Sequence, residues 1–187
     1  PVSPLDLFSD VSFSTISTMP FRLLSVLIDL CLLKRGPQDL PHNPALTLAF
    51  LIGALALEAY SANLLSNSPT LFSSVILSGA FALAATWAIL RLRRVESRYW
   101  QTLFALIATG VLFSLLALPL LVAIGPLDPD NMTQLSPVVG LGIVLLAAWR
   151  LLVAGHIWRH ALDIPLPVGV LVALGTFMVE LILQRAL

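Results

Sequence analysis

Between residues 45 and 184 the chain passes through five apolar stretches, at about 45–65, 70–90, 102–124, 137–158 and 165–184. Each approaches or exceeds the roughly 20 residues a helix needs to cross a hydrocarbon layer about 30 Å thick. In lipid a spanning segment must satisfy its own backbone N–H and C=O groups, and a helix does this within one segment. Of the 187 residues 58% are hydrophobic and 11% are charged, where a soluble domain carries about 25% charged residues. The mean hydropathy of +0.97 agrees. The predicted fold class is therefore all-α integral membrane, a five-span transmembrane helix bundle within residues 44–187.

Two segments precede the first span. Residues 1–19 mix Ser, Thr and Pro with scattered apolar residues and read as a tail; the chain begins at Pro1 with no evident signal peptide. Residues 20–36 read as an amphipathic interfacial helix, apolar apart from a stripe of Arg22, Ser25 and Asp29 at helical spacing. It is too short and too charged to span, and suits the membrane surface, with Lys34 and Arg35 reaching lipid phosphates. Gly36 and Pro37 are expected to end it.

Lys and Arg fix the expected orientation. With the N-terminus in the cytoplasm, the inner side holds Arg22, Lys34, Arg35, Arg91, Arg93, Arg94, Arg98 and Arg159. The outer loops hold Asp128 and Asp130 without a basic residue, and Arg185 alone lies at the outer C-terminus. Short-loop Lys/Arg bias sets topology, so the N-terminus is expected inside and the C-terminus in the periplasm. Tyr99, Trp100 and Trp158 fall at the inner boundary, as interfacial aromatics do. Lys34, Arg35, Arg91, Arg93 and Arg94 are the candidate lipid contacts. Rows of small residues in the second span (Ser74, Ser78, Ala82 and Ala80, Ala84, Ala88) predict a central place for it.

Three ionisable residues fall inside spans: Glu58, Arg150 and Glu180. Insertion scales put the cost of Arg or Asp at a helix centre at about 2.5–3.5 kcal/mol, so each should have a partner. Counting from the cytoplasmic ends at 1.5 Å per residue, Arg150 lies roughly 13 Å deep and the glutamates about 21–22 Å. Side chains lean toward their helix N-terminus, which brings Arg150 and either glutamate together. Such a pair locks helices together or carries charge across the membrane, although Glu180 also lies near enough to the outer surface to snorkel.

His156 and His160, at i and i+4, form a two-histidine face. A metal would need further ligands from His42 or Asp163; polar capping at the boundary is the simpler reading, and no cofactor or metal is expected. Haem needs opposed axial ligands, which one helix face does not supply. Cys31, the single cysteine, sits in an apolar context and reads as structural. Asn131-Met132-Thr133 matches a glycosylation acceptor pattern. Phosphate-loop, GxSxG, HExxH and CxxC motifs are absent from the sequence, and zero net charge gives no electrostatic case for nucleic acid.

Two connectors carry a resemblance: LLKRGPQDLPHNPAL at 32–46 and WRHALDIPLPVGVLVAL at 158–174. With five closely spaced spans behind a cytoplasmic segment, the chain resembles small proteobacterial inner-membrane proteins of the Yip1-like group. The resemblance implies a bacterial inner-membrane location and no catalytic residues. The resulting expectation is a non-enzymatic accessory or scaffold protein that contacts lipid and other membrane subunits. The alternative is a small transporter or channel using Arg150 with Glu58 or Glu180.

Overall fold

The computed structural model describes residues 13–65, 70–124 and 136–185, with side chains from residue 21 onward apart from residue 71. It is helical, with no strand among the described residues. The long helices are α1 (Phe13–Cys31), α2 (Pro44–Leu65), α3 (Leu71–Leu92), α4 (Tyr99–Ile124), α5 (Pro137–Leu162) and α6 (Leu166–Arg185). Five of them, α2 to α6, are long and apolar enough to cross a membrane. The chain is thus an integral membrane helix bundle with one helix ahead of the five.

Local chemistry sets the helix ends. Asn43 caps α2, its Oδ1 accepting the Leu46 N–H at 3.1 Å, with Pro44 at the first position, where no N–H is needed. Pro137 likewise takes the first position of α5, after Ser136, whose side chain makes no capping hydrogen bond. At their other ends α1, α3 and α5 share one device. Leu33, Arg94 and Asp163 take left-handed backbone with φ of 61°, 57° and 52°. The N–H of the next residue then reaches back to a last-turn carbonyl: Lys34 to Asp29, Val95 to Leu90, Ile164 to Arg159.

This corrects the expected limits of α1. The helix stops at Cys31, not at Gly36, because the Leu33 turn closes it first; it also begins at Phe13, inside the segment read as a tail. α1 offers two apolar faces. Leu27, Leu30 and Cys31 are buried against α4 and α5, while Phe21, Leu24, Ile28 and Leu32 stay exposed on another face. Trp149 of α5 donates its indole N–H to the Cys31 carbonyl at 3.0 Å, and its ring meets Phe113 edge-on at 5.2 Å. Burial pushes the Cys31 thiol up from its ordinary value, as an inert structural cysteine requires.

The central helix is α4, not α3. It packs against α1, α2, α3 and α5. Its Thr102, Leu103, Phe104, Ala105, Ile107, Ala108 and Thr109 are all buried. Threonine and alanine let neighbours close in, and both threonine hydroxyls are spent inside the helix, on the Arg98 and Ala105 carbonyls. α3 packs at the side, against α2, α4 and α6; Ser78 of one small-residue row is buried, while Ala80, Ala84 and Ala88 of the other are exposed. α5 and α6 meet closely at Gly155 and Gly169; a Cβ on Gly155 would stand 2.8 Å from the Val170 Cα.

Burial is concentrated toward one end. The buried parts of α2, α4, α5 and α6 are the stretches nearest the basic connections: 47–51, 102–113, 153–162 and 169–173. Thr86 and Leu90 complete this region from α3. Toward the opposite end, only Val75, Ser78 and Gly79 of α3 are buried among the described residues.

Candidate functional site

The intramembrane ionisable residues lie in the looser half. At about 1.5 Å per residue, Glu58, Ser78 and Glu180 stand roughly 8–11 Å from the helix ends remote from the basic connections. Three helices bring them together. The Ser78 hydroxyl of α3 donates to Glu180 Oε1 of α6 at 2.6 Å, and Glu58 of α2 lies beside the same serine. Ser78 is buried, and both glutamates are half-buried.

The expected contact between Arg150 and a glutamate is not formed. Among the described residues, no carboxylate lies within 4.0 Å of the Arg150 guanidinium. Arg150 stands about 20 Å along α5 from Pro137, well below the level of the carboxylates. Ser78, at the height of both glutamates, takes the place the arginine was expected to fill. Arg150 turns instead toward α4, where Gly110 leaves room for it: a Cβ there would sit 4.0 Å from Nη2. Glu58 still lies near enough to feel its charge.

The geometry limits what the cluster can hold. A serine hydroxyl has one hydrogen to donate. With that hydrogen directed to Glu180, none is left for Glu58. The cluster therefore gathers two carboxyl groups around one hydroxyl, in the same bundle as Arg150. Sequence spacing places Ser78 in a row of small residues; its role as a donor to Glu180 depends on the rotation of the helices about their axes.

The basic candidates line the opposite end. Lys34, Arg35, Arg91, Arg93 and Arg94 are all exposed. Arg35 pairs with Asp29 at 3.1 Å, Arg91 lies 4.8 Å over the Trp87 ring, and Arg93 Nη2 reaches the Leu162 carbonyl at 3.4 Å. Arg98, read only as a topology signal, does more than these. Its Nη1 donates to Asp163 Oδ2 at 2.8 Å and to the His160 and Ala161 carbonyls at 3.0 and 3.1 Å.

The two histidines do meet, their rings 4.5 Å apart and edge to face. His156 Nε2 lies 2.9 Å from the Arg35 carbonyl, which makes it a donor there. Among the described residues no three His, Cys, Asp or Glu side chains gather as a metal site would require. Asn131 and its acceptor pattern lie outside the described residues.

No protein family, curated protein or solved structure matches this chain.

Proposed function

We propose that the chain is a non-enzymatic accessory subunit of a larger membrane assembly, and that Arg150 is where a partner helix engages it. The observation that carries this reading is the state of Arg150. It lies near the middle of α5, is exposed, and has no carboxylate within ion-pairing distance among the described residues. A guanidinium cannot shed its proton. Left against hydrocarbon it costs about 2.5–3.5 kcal/mol on insertion scales, so a counter-group from outside the chain has a clear energetic role. An acidic or amide side chain on a neighbouring spanning helix has the matching chemistry.

The location proposed is a bacterial inner membrane, in keeping with the Yip1-like resemblance, with the N-terminus cytoplasmic and the C-terminus periplasmic. The one-sided distribution of Arg and Lys supports that orientation. In a cysteine-free background, Ser66→Cys should label from the periplasm and Ser97→Cys should not; the reverse pattern overturns the orientation.

The functional test is native purification in mild detergent, with mass spectrometry of the proteins that accompany the chain. A stoichiometric membrane partner should be lost on Arg150→Leu and kept on Leu145→Ala, with both variants remaining monodisperse. A wild-type chain that purifies alone sinks the subunit reading.

The two carboxyl groups gathered around Ser78 favour a second reading, a small transporter or channel. The two differ in their response to Glu58→Gln with Glu180→Gln. Assembly through Arg150 should survive that double change, whereas transport that uses the carboxyl groups should be abolished.

A further inference from the structure

A cavity of about 230 Å³ lies at the basic end, walled by the Pro37–Asp39 turn, the start of α4 and the end of α5. Its hydrogen-bonding lining is Gln38, Arg98, Gln101, Thr102, His160 and Asp163. Drug-sized ligands occupy pockets of about 300–1,000 Å³, so this one suits a smaller, polar group. It opens where helices begin and end, at the level expected for lipid phosphates.

The chemistry of the lining is specific. All three interactions of Arg98 fall on Nη1, which leaves Nε and Nη2 without a partner among the described residues. Gln101 donates its amide nitrogen to the Leu40 carbonyl at 3.3 Å and so is held in place. Asp163 sets a carboxylate 2.8 Å from the arginine, with 71% of its side chain exposed. A site for a simple anion gains nothing from a carboxylate at its cation. A zwitterion uses both.

We propose that this cavity holds the headgroup of an aminophospholipid, its phosphate on the free edge of Arg98 and its primary ammonium on Asp163. The acyl chains then lie outside, along the apolar surface of the spans. Gln38 supplies an amide N–H to the phosphate, and the exposed Arg91, Arg93 and Arg94 at the same end of the bundle draw phosphates toward it. This inference is independent of the role given to Arg150.

The test uses the full chain in detergent with short-chain phosphatidylethanolamine, phosphatidylglycerol and phosphatidylcholine, and reads bound lipid by native mass spectrometry. The amine lipid should be retained about tenfold more strongly than the other two. Asp163→Asn should erase its advantage over phosphatidylglycerol. Asparagine tolerates the left-handed backbone of position 163, so this variant keeps the turn. Arg98→Gln should weaken retention of all three lipids; because Arg98 also holds the end of α5, Asp163→Asn decides if that variant misfolds. Equal retention of the three lipids, or an unchanged preference in Asp163→Asn, overturns the proposal. Displacement of the lipid by inorganic phosphate as readily as by phosphatidylethanolamine assigns the cavity to a soluble anion and overturns it as well.

Discussion

The two ends of the bundle are held by different physics. At the basic end, Phe104, Leu103, Leu30, Val153 and Ile157 are sealed from solvent. Arg93 and Arg98 also tie the end of α5 to the segment joining α3 and α4 through carbonyl contacts. At the remote end, burial among the described residues falls to Val75, Ser78 and Gly79, and Ser78 joins α3 to Glu180 of α6 with Glu58 of α2 beside it. The first end is stabilised by close packing, the second by a polar link in an apolar setting. Packing distributes its contribution over many atoms; the link concentrates it in one hydroxyl.

Three substitutions probe that contrast. Phe104→Ala, in the packed end and against the Phe50 ring at 5.1 Å, should have the largest effect. A buried Phe→Ala change costs about 3–5 kcal/mol, read as a lower midpoint in a mixed-micelle unfolding titration. Ser78→Ala comes next. Removing a partner from a buried polar group costs about 1–3 kcal/mol, and the loss should appear as faster cysteine labelling in the remote halves of α3 and α6. Equal destabilisation by Phe104→Ala and Ser78→Ala would erase the distinction in strength. Leu145→Ala, exposed on the remote half of α5, should change stability by less than about 0.5 kcal/mol. A loss of several times that amount would mean that this surface is packed, and the remote end would no longer count as loose.

The spans were legible because they rest on composition and length alone. Any run such as 102–124, with no charged residue and about 20 or more positions, has few options in lipid. Helix ends were harder. Leu33, Arg94 and Asp163 close helices at positions where sequence rules look for glycine or asparagine. Rows of small residues do not by themselves mark the central helix: α3 carries the conspicuous ones, yet Thr102, Ala105 and Thr109 of α4, at similar spacing, are buried at the centre. The charged residues were found, but the contact was not: Glu180 meets Ser78 and not Arg150. Depth along a helix follows from counting, whereas the direction a side chain faces depends on how each helix is turned against its neighbours. Arg98 and Asp163 lie 65 positions apart, and only the fold brings them together.

Trp149 has a consequence of an optical kind. Its indole N–H is bound to the last helical carbonyl of α1, and its ring is wedged beside Phe113. An indole emits at a wavelength set by its hydrogen bonding and surroundings, so detachment of α1 would alter the Trp149 spectrum while leaving the five spans in place. With Trp87, Trp100 and Trp158 changed to phenylalanine, the protein would carry one native chromophore reporting whether its first helix is seated. Its neighbour in the sequence is Arg150, so the same signal would register events beside the mid-membrane charge without an attached dye.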